Sequence, residues 1–378
     1  SSDLLGNQNL DKAYPAEPLL TNAYSAVFGK PSIIYPGYQL AYLPNPNLRW
    51  EKVEAWEAGF ETNLLRNRLH FEGVYYKKNT KDLLAEVPGI SGTIPGIGNL
   101  GEIQNKGVEM AVTWRDQIGD WGYSVSANLT TIKNEVKSLV QEGYSIIAGD
   151  KQQSYTMAGY PIGYFYGYKV AGVYQSQADI DASPKNTLAT VTPGDLKFAD
   201  VNGDGEITPE DRTMIGNPTP KVTYGFSLGV DYKNWSLGID MMGQGGNQIF
   251  RTWDNYNWSQ FNFMEQRMDR WHGEGTSNTQ PLLNTKHTIN NLNSEYYIED
   301  GSFFRIRNVQ LAYSFDKSLL AKIRLQALKV YVNIQNLKTW KHNTGYTPEL
   351  GGSATAFGVD NGSYPVPAVY TFGINLTF

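Results

Sequence analysis

The chain has 378 residues, a formal net charge of -5 and no cysteine. The acidic balance argues against a nucleic-acid-binding protein, and the lack of cysteine excludes disulfides and thiolate metal sites. No apolar run of about 18 residues occurs, so a membrane-spanning helix is not expected. Tyrosine and tryptophan are frequent, with 25 and 9 copies, which fits the aromatic belts of a membrane protein.

Alternation of large apolar with small or polar residues predicts nine strands, because successive strand side chains point to opposite faces. In chain order these lie near residues 52–65, 68–78, 104–115, 120–132, 221–232, 235–248, 303–315, 327–337 and 368–378. The last strand is the clearest, since one of its faces carries only large apolar side chains: Tyr370, Phe372, Ile374, Leu376 and Phe378. A soluble β-sandwich or propeller also alternates, but its connections are rarely as long as those found here. The pattern therefore favours an all-β, transmembrane antiparallel barrel.

The connections between these strands alternate between short and long, as periplasmic turns and extracellular loops do in outer-membrane barrels. Residues 1–50 are predicted to be an extracellular loop segment. Residues 51–378 are predicted to form barrel strands with long extracellular loops at 79–103, 133–220, 249–302 and 338–367. Nine is an odd number, and nine strands alone would leave two bare edges in lipid. We therefore expect this chain to be the C-terminal part of a larger barrel.

Seven short motifs follow one another along the chain: NPNLRWE at 45–51, GEIQNKGVE at 101–109, GYPIG at 159–163, GDLKFAD at 194–200, IGNPTP at 215–220, FFRIRNV at 303–309 and NIQNL at 333–337. In this order they resemble the C-terminal half of the SusC/RagA-type TonB-dependent transporters of the outer membrane. The resemblance covers nearly the whole chain, from about residue 45 to the end. No single motif is decisive, but the ordered series is specific.

The resemblance implies a 22-stranded barrel in the outer membrane of a Gram-negative, Bacteroidetes-like cell, with an N-terminal plug. It also implies a SusD-like surface lipoprotein as partner and energy from the TonB complex, which contacts the N-terminal part. The implied function is import of a bulky nutrient, an oligosaccharide rather than a peptide. A passive porin or a surface adhesin barrel without energy coupling is the alternative. No enzyme activity is expected, because the sequence contains no catalytic constellation.

One loop has the spacing of an EF-hand-like calcium site. Its oxygen donors at loop positions 1, 3, 5, 7 and 12 are Asp200, Asn202, Asp204, the backbone carbonyl of Glu206, and Asp211. Gly205 stands where the sharp turn needs glycine. Asp replaces the usual bidentate Glu at position 12, and a metal-free Asp/Asn/Gly turn would have a similar composition. Ca²⁺ is the predicted ligand of this loop.

The segment 250–271 is rich in aromatic residues, which can stack on sugar rings. Trp253, Tyr256 and Trp258 are the candidate contacts for a ligand or partner, although packing within a long loop is the simpler interpretation. Acidic residues also lie on predicted strands, at Glu57, Glu61, Glu109 and Asp240. We expect these carboxylates to face the aqueous lumen, since lumen-facing positions of a barrel strand meet water.

Overall fold

The computed structural model describes residues 16–30, 32–42, 44–87, 96–99, 101–139, 143–253, 264–283, 288–322 and 324–378. Nine long strands form one antiparallel sheet in consecutive order, which we call the wall. They are β1 (Lys52–Leu64), β2 (Leu69–Lys81), β3 (Gly101–Ile118), β4 (Trp121–Thr131), β5 (Val222–Tyr232), β6 (Trp235–Gly245), β7 (Phe303–Ser314), β8 (Ala327–Lys341) and β9 (Val369–Thr377). Each predicted strand is present, with bounds that differ by a few residues.

The wall is extended at one point by a shorter strand, Lys133–Leu139, which pairs with the first residues of β3. This explains why β3 is 18 residues long: it pairs with β4 at one end and with Lys133–Leu139 at the other. Among the described residues, the edge strands β1 and β9 do not pair with each other. The wall is therefore an open sheet.

Tight turns join the strands at one end of the wall, which we call the turn end. The turn between β1 and β2 places Leu65, Arg66 and Asn67 at positive φ, a region that L-residues other than Asn and Gly rarely occupy. Lys233, between β5 and β6, has a φ of 53°. At the opposite end, which we call the loop end, the connections are long. The predicted alternation of short and long connections is thus confirmed.

Strand β6 was predicted to reach residue 248 but ends at Gly245. Gly246 has a φ of 80° and turns the chain. The following strand, Gln248–Arg251, then joins Ile298–Asp300 and Val359–Asp360 in a separate sheet. Residues 243–248 carry no large apolar side chain, so the apolar pattern does not mark where β6 ends.

The long connections contain regular structure of their own. Residues 1–50, predicted as a loop segment, include an antiparallel hairpin of Leu20–Phe28 and Ile33–Leu40. The other short strands are Leu84–Val87 with Gly96–Asn99; Ile146–Ala148, Ser154–Thr156, Tyr164–Gly167 and Thr213–Gly216; Val170–Val173 with Leu196–Phe198; Lys185–Asn186 with Glu206–Ile207; and Gly352–Ser353 with Ala356–Phe357.

Helical structure is sparse and short. The α-helices are Gln177–Asp181 and Lys317–Ala321, and the 3-10 helices are Pro209–Asp211, Glu265–Asp269, Ile289–Asn291 and Glu295–Tyr297. None of the helices in the described ranges has the length and apolar character to cross a membrane.

Most of the large side chains that are fully buried lie beyond the loop end, in residues 143–216, 247–253, 264–283, 288–301 and 342–362, which we call the cap. Two hydrophobic clusters hold it together. One is built around Leu196, Phe198 and Ile207, and the other around Phe165 and Phe250. The wall contributes few buried apolar residues, as expected of a single sheet layer.

Candidate functional site: the luminal face and the cap

The two faces of the wall differ in chemistry as predicted. On one face large apolar side chains are exposed, including Phe60, Tyr370 and Phe372 at 62%, 70% and 68%. The other, luminal face carries mostly hydroxyl, amide and glycine positions. Strand register aligns these polar positions into rows across the wall: Thr113 lies opposite Ser126, and Ser126 opposite Ser227. Because every second side chain of a strand points to the same face, the wall has a lipid face and an aqueous face.

Aromatic side chains gather at both ends of the lipid-facing surface. At the turn end, Trp121 stacks on Tyr232 with ring centroids 4.3 Å apart, and Trp235 lies 4.9 Å from Tyr313. Toward the loop end, Tyr224, Phe304 and Trp340 form a row with centroids 6.5 Å and 5.7 Å apart. Such rings occupy the two membrane–water interfaces, so the lipid-crossing band lies between these two groups.

Hydrogen bonds link the polar groups of the luminal face to one another. Thr113 Oγ1 lies 3.0 Å from Ser126 Oγ. Ser227 Oγ donates to Asp240 at 2.7 Å, and Asn308 Nδ2 reaches the same carboxylate at 3.5 Å. Strand register thus places Asp240 on the luminal face, as predicted. This part of the surface presents hydroxyl and amide groups to the lumen, and two of them donate to the Asp240 carboxylate.

A patch of carboxylates occupies the luminal face of the first three wall strands. Glu61 lies directly opposite Glu72, and Glu57 and Glu109 share the same face. Like charges on opposing residues destabilise a sheet. His70 Nδ1 stands 3.8 Å from the Glu61 carboxylate and reduces this repulsion when protonated. The patch gives the luminal face an acidic side and a neutral side.

Buried ion pairs fix the cap. Arg251 and Glu299 are 2.9 Å apart, with side chains only 4% and 10% exposed. The Arg251 guanidinium also lies over the rings of Tyr296 and Tyr297, at 5.2 and 5.8 Å from their centroids. Arg suits such buried sites because its planar guanidinium stacks on aromatic rings and can donate two parallel hydrogen bonds to a carboxylate. Glu299 in turn accepts from the Thr344 backbone N–H at 3.0 Å, which joins two loops of the cap.

The predicted calcium loop has a tightly hydrogen-bonded backbone. Asp200 accepts from the N–H groups of Gly203 and Gly205 at 2.6 and 2.8 Å. Asn202 and Asp204 each accept from the backbone N–H two residues further on, at 2.9 and 2.8 Å. Gly203 and Gly205 have φ values of 78° and 85°. Because an oxygen that accepts one hydrogen bond keeps a second lone pair, these three exposed or half-buried side chains keep acceptor capacity for a hard cation.

Asp211, at loop position 12, has a different role in the structure. It is fully buried and accepts from the backbone N–H groups of Val201 and Thr208, each at 2.8 Å. Burial raises the pKa of the Asp211 carboxyl, but the hydrogen bonds from Thr208, Val201 and Asn202 outweigh it and lower that pKa. This carboxylate clamps the loop closed. Glu206, at position 7, pairs through its side chain with Lys185 at 3.3 Å.

No group of three or more His, Cys, Asp or Glu side chains in the described ranges is arranged to hold a metal ion. The oxygens of Asp200, Asn202 and Asp204 each keep acceptor capacity, whereas both oxygens of Asp211 already accept hydrogen bonds from Val201, Asn202 and Thr208. Calcium binding by this loop therefore stays a prediction.

Of the three aromatic residues predicted to contact a ligand or partner, Trp253 lies within the cap. The Arg251 guanidinium is 5.7 Å from its ring centroid. Tyr256 and Trp258 lie outside the described residues. The ligand-contact role of all three stays a prediction.

Several tyrosines that were not predicted as functional form an aromatic cluster in the cap. Tyr155 lies 4.3 Å from Tyr166, and Tyr160 lies 4.8 Å from Tyr164, measured between ring centroids. Tyr164 is buried, whereas Tyr160 is 40% exposed. The four tyrosines are close together in the chain, and the antiparallel pairing of Ser154–Thr156 with Tyr164–Gly167 brings their rings into contact.

The comparisons with known proteins agree with this architecture. The family described as TonB dependent receptor-like, beta-barrel matches residues 13–337. The chain belongs to this TonB-dependent receptor family. Its members are receptors and transporters of the outer membrane, so the resemblance, the barrel fold and the location predicted from the sequence are all confirmed.

Similar proteins match most of the length of this chain. TonB-dependent receptor P3 of Formosa agariphila is 31% identical over 365 residues, which cover 90% of this chain and 36% of that receptor. TonB-dependent receptor SusC of Bacteroides thetaiotaomicron is 25% identical and covers 88% of this chain and 32% of SusC. A solved structure of the RagAB peptide transporter matches 97% of this chain and 38% of its own, with a TM-score of 0.78 and 24% identity; this likeness shows the fold alone.

The chain spans between 32% and 39% of the length of the four curated relatives.

Proposed function

We propose that this receptor imports a bulky glycan across the outer membrane, with energy supplied through TonB. The observation that carries the proposal is the hydroxyl- and amide-rich luminal face of β4 to β9, including Ser126, Ser227, Asn308 and Asn333. Such groups both donate and accept hydrogen bonds. They can exchange bonds with sugar hydroxyls without holding a charged group, and so suit passage of a neutral, hydroxyl-rich solute.

The test compares uptake by the full-length transporter in cells with and without TonB. Fluorescent oligosaccharides of neutral glucans, xylans and mannans serve as probes. TonB-dependent accumulation supports the proposal. Accumulation that is equal in both strains would indicate a passive porin, and surface retention without entry would indicate an adhesin.

A second candidate is import of cationic peptides. The carboxylate patch of Glu57, Glu61, Glu72 and Glu109 favours it, because opposite charge raises the local concentration of a cationic solute. RagAB, which has a similar fold, is described as a peptide transporter. Competition between a labelled oligosaccharide and lysine-rich peptides separates the two candidates, since only the peptide mechanism predicts loss of uptake when Glu61 and Glu72 are replaced by Gln.

We also propose a SusD-like surface lipoprotein as the partner of the cap. Tyr346 and Tyr364 support this, as they are 72% and 88% exposed on the last long connection, and exposed aromatic residues are enriched in protein interfaces. Mild extraction and pull-down through the full-length receptor should recover the lipoprotein. Replacement of both tyrosines by Ser should weaken that recovery, whereas replacement of lipid-facing Tyr370 should not.

We further propose that the Asp200–Asp211 loop binds Ca²⁺ for structure. The oxygens of Asp200, Asn202 and Asp204 support it, because Ca²⁺ prefers hard oxygen donors. The ion would order the exposed tip of a loop whose base is already clamped by Asp211.

A further inference from the structure

The strongest unassigned feature is a cavity where the luminal face meets the cap. It has a volume of about 330 Å³, within the range of about 300–1,000 Å³ typical of ligand pockets. Gln244, on the luminal face of β6, lines one side of the cavity, and the loop at 348–351 lines another side. Gln244 is one residue from the end of β6, so the cavity lies at the loop end of the wall.

The walls of the cavity are apolar and rigid. Pro218, Pro220 and Pro348 line it together with Leu350 and Phe357. Proline rings have fixed backbone φ, so these walls lose little conformational freedom when a ligand binds. Gly358, at a φ of 71°, brings the chain against Pro218, because a Cβ there would lie 2.6 Å from the proline Cβ. The apolar side of the cavity is thus preformed.

Three polar side chains, those of Gln244, Asn247 and Glu349, also line the cavity. Asn247 is 5% exposed, and its Oδ1 accepts no hydrogen bond from the described residues. A buried amide oxygen without a donor is unfavourable, so a ligand hydroxyl that donates to it would be stabilised there. Gln244 adds a second amide, and Glu349 adds a carboxylate at the mouth.

The loop that carries Glu349 is held in place. Arg305, on the luminal face of β7, donates to the Glu349 carboxylate and to Thr339 Oγ1. Lys341 donates to the backbone carbonyls of Asn343 and Gly345 at 2.7 and 2.5 Å. The geometry of the cavity therefore exists before a ligand arrives, which lowers the entropy lost on binding.

We propose that this cavity is a sugar-binding subsite at the entrance to the lumen, which rests on the proposed import of glycans. A sugar ring has an apolar face of C–H groups and an edge of hydroxyls. The proline and Phe357 surfaces match the face, and Asn247, Gln244 and Glu349 match the edge. Because one carboxylate at the mouth already pairs with Arg305, the cavity selects a neutral ring over a cationic group.

The test measures binding of fluorescently labelled neutral hexasaccharides of glucan, xylan and mannan to the purified full-length receptor. Asn247→Leu removes the amide at similar volume. Gly351→Trp places a bulky ring at a residue that lines the cavity, and the ring has room because a Cβ added at Gly351 meets no heavy atom within 4 Å; Gly351→Ala is its matched control. We expect both Asn247→Leu and Gly351→Trp to weaken binding at least about tenfold, as loss of a central contact does, and Gly351→Ala to bind as the parent does.

Two outcomes would overturn the subsite in distinguishable ways. If the parent binds a hexasaccharide and folded Gly351→Trp binds it equally well, the cavity is not part of the path, and the proposed function stands. If the parent binds no member of the panel, the proposed import of glycans fails and the subsite fails with it. Heat-modifiable migration of each variant reports folding. If Asn247→Leu misfolds, the binding measured for Gly351→Trp still tests whether the cavity is a subsite.

Discussion

The wall and the cap show two different ways in which one chain is stabilised. The wall is a single layer of strands, in which backbone ladders and a two-residue pattern separate lipid from water. The cap has two hydrophobic clusters and buried ion pairs, such as Arg251 with Glu299. A substitution in the wall should therefore act through the membrane face that it alters, and one in the cap through lost packing or pairing.

The largest effect is expected in the cap, from Glu299→Leu. Removal of one partner leaves the Arg251 charge in a dry site, and breaking a buried pair typically destabilises by roughly 3–5 kcal/mol. Hydrogen exchange of cap amides should accelerate while the wall strands stay protected. Glu206→Gln is the control, because its partner Lys185 is 75% exposed and exposed pairs contribute about 0–1 kcal/mol. Equal exchange in both variants would contradict the role given to Arg251 and Glu299.

The next effect concerns the lipid face of the wall. Phe372→Arg, on β9, should reduce the folded fraction in outer membranes, with a cost of about 2–4 kcal/mol if the position lies near the bilayer midplane. Asn375→Ser, on the luminal face of the same strand, should assemble almost normally. Heat-modifiable migration on gels measures both. Equal assembly of the two variants would show that the faces are assigned wrongly.

A smaller effect is expected at the clamp of the predicted calcium loop. The folded pKa of Asp211 is lowered, so its stabilisation is present above the unfolded value of about 3.9 and is lost as pH falls below it. Asp211→Asn should open the loop already at neutral pH, since a buried donor left unsatisfied costs roughly 1–3 kcal/mol. Limited proteolysis at 200–211 reports this. If the parent and Asp211→Asn are cleaved at the same sites and rates from pH 7 to pH 4, the Asp211 carboxylate does not hold the loop closed.

The smallest effect is that of calcium on the loop tip. A ligand present at ten times its Kd stabilises the bound state by only about 1.4 kcal/mol. Chelator should therefore increase cleavage at residues 200–206 modestly, and Asp200→Ala with Asp204→Ala should abolish this dependence. The wall strands should stay intact in every condition. Cleavage that is independent of chelator in the parent would leave the loop as a metal-free turn.

The wall could be read from the sequence because its determinants are local. The alternation at Val222–Tyr232 and Val369–Thr377 indicates for each residue whether its side chain faces lipid or the lumen. The short turns between strands show where one strand ends and the next begins. Luminal Glu61, Glu109 and Asp240 were likewise predictable, since parity along a strand decides the face. The end of β6 was predicted three residues too late, because residues 243–248 carry no large apolar side chain that would mark it and the positive φ of Gly246 ends the strand.

The sequence by itself determined the nine strands, their two faces, the resemblance to TonB-dependent transporters and the Asp/Asn/Gly spacing of residues 200–211. Only the tertiary structure decided that the long loops pack into a cap, that Asp211 clamps its own loop, and that Pro218, Asn247 and Pro348 line one cavity. The reason is physical: a strand's faces follow from a repeat of two residues, whereas a packed loop depends on contacts between residues about 100 positions apart, such as Asn290 and Asp195, which no local pattern encodes.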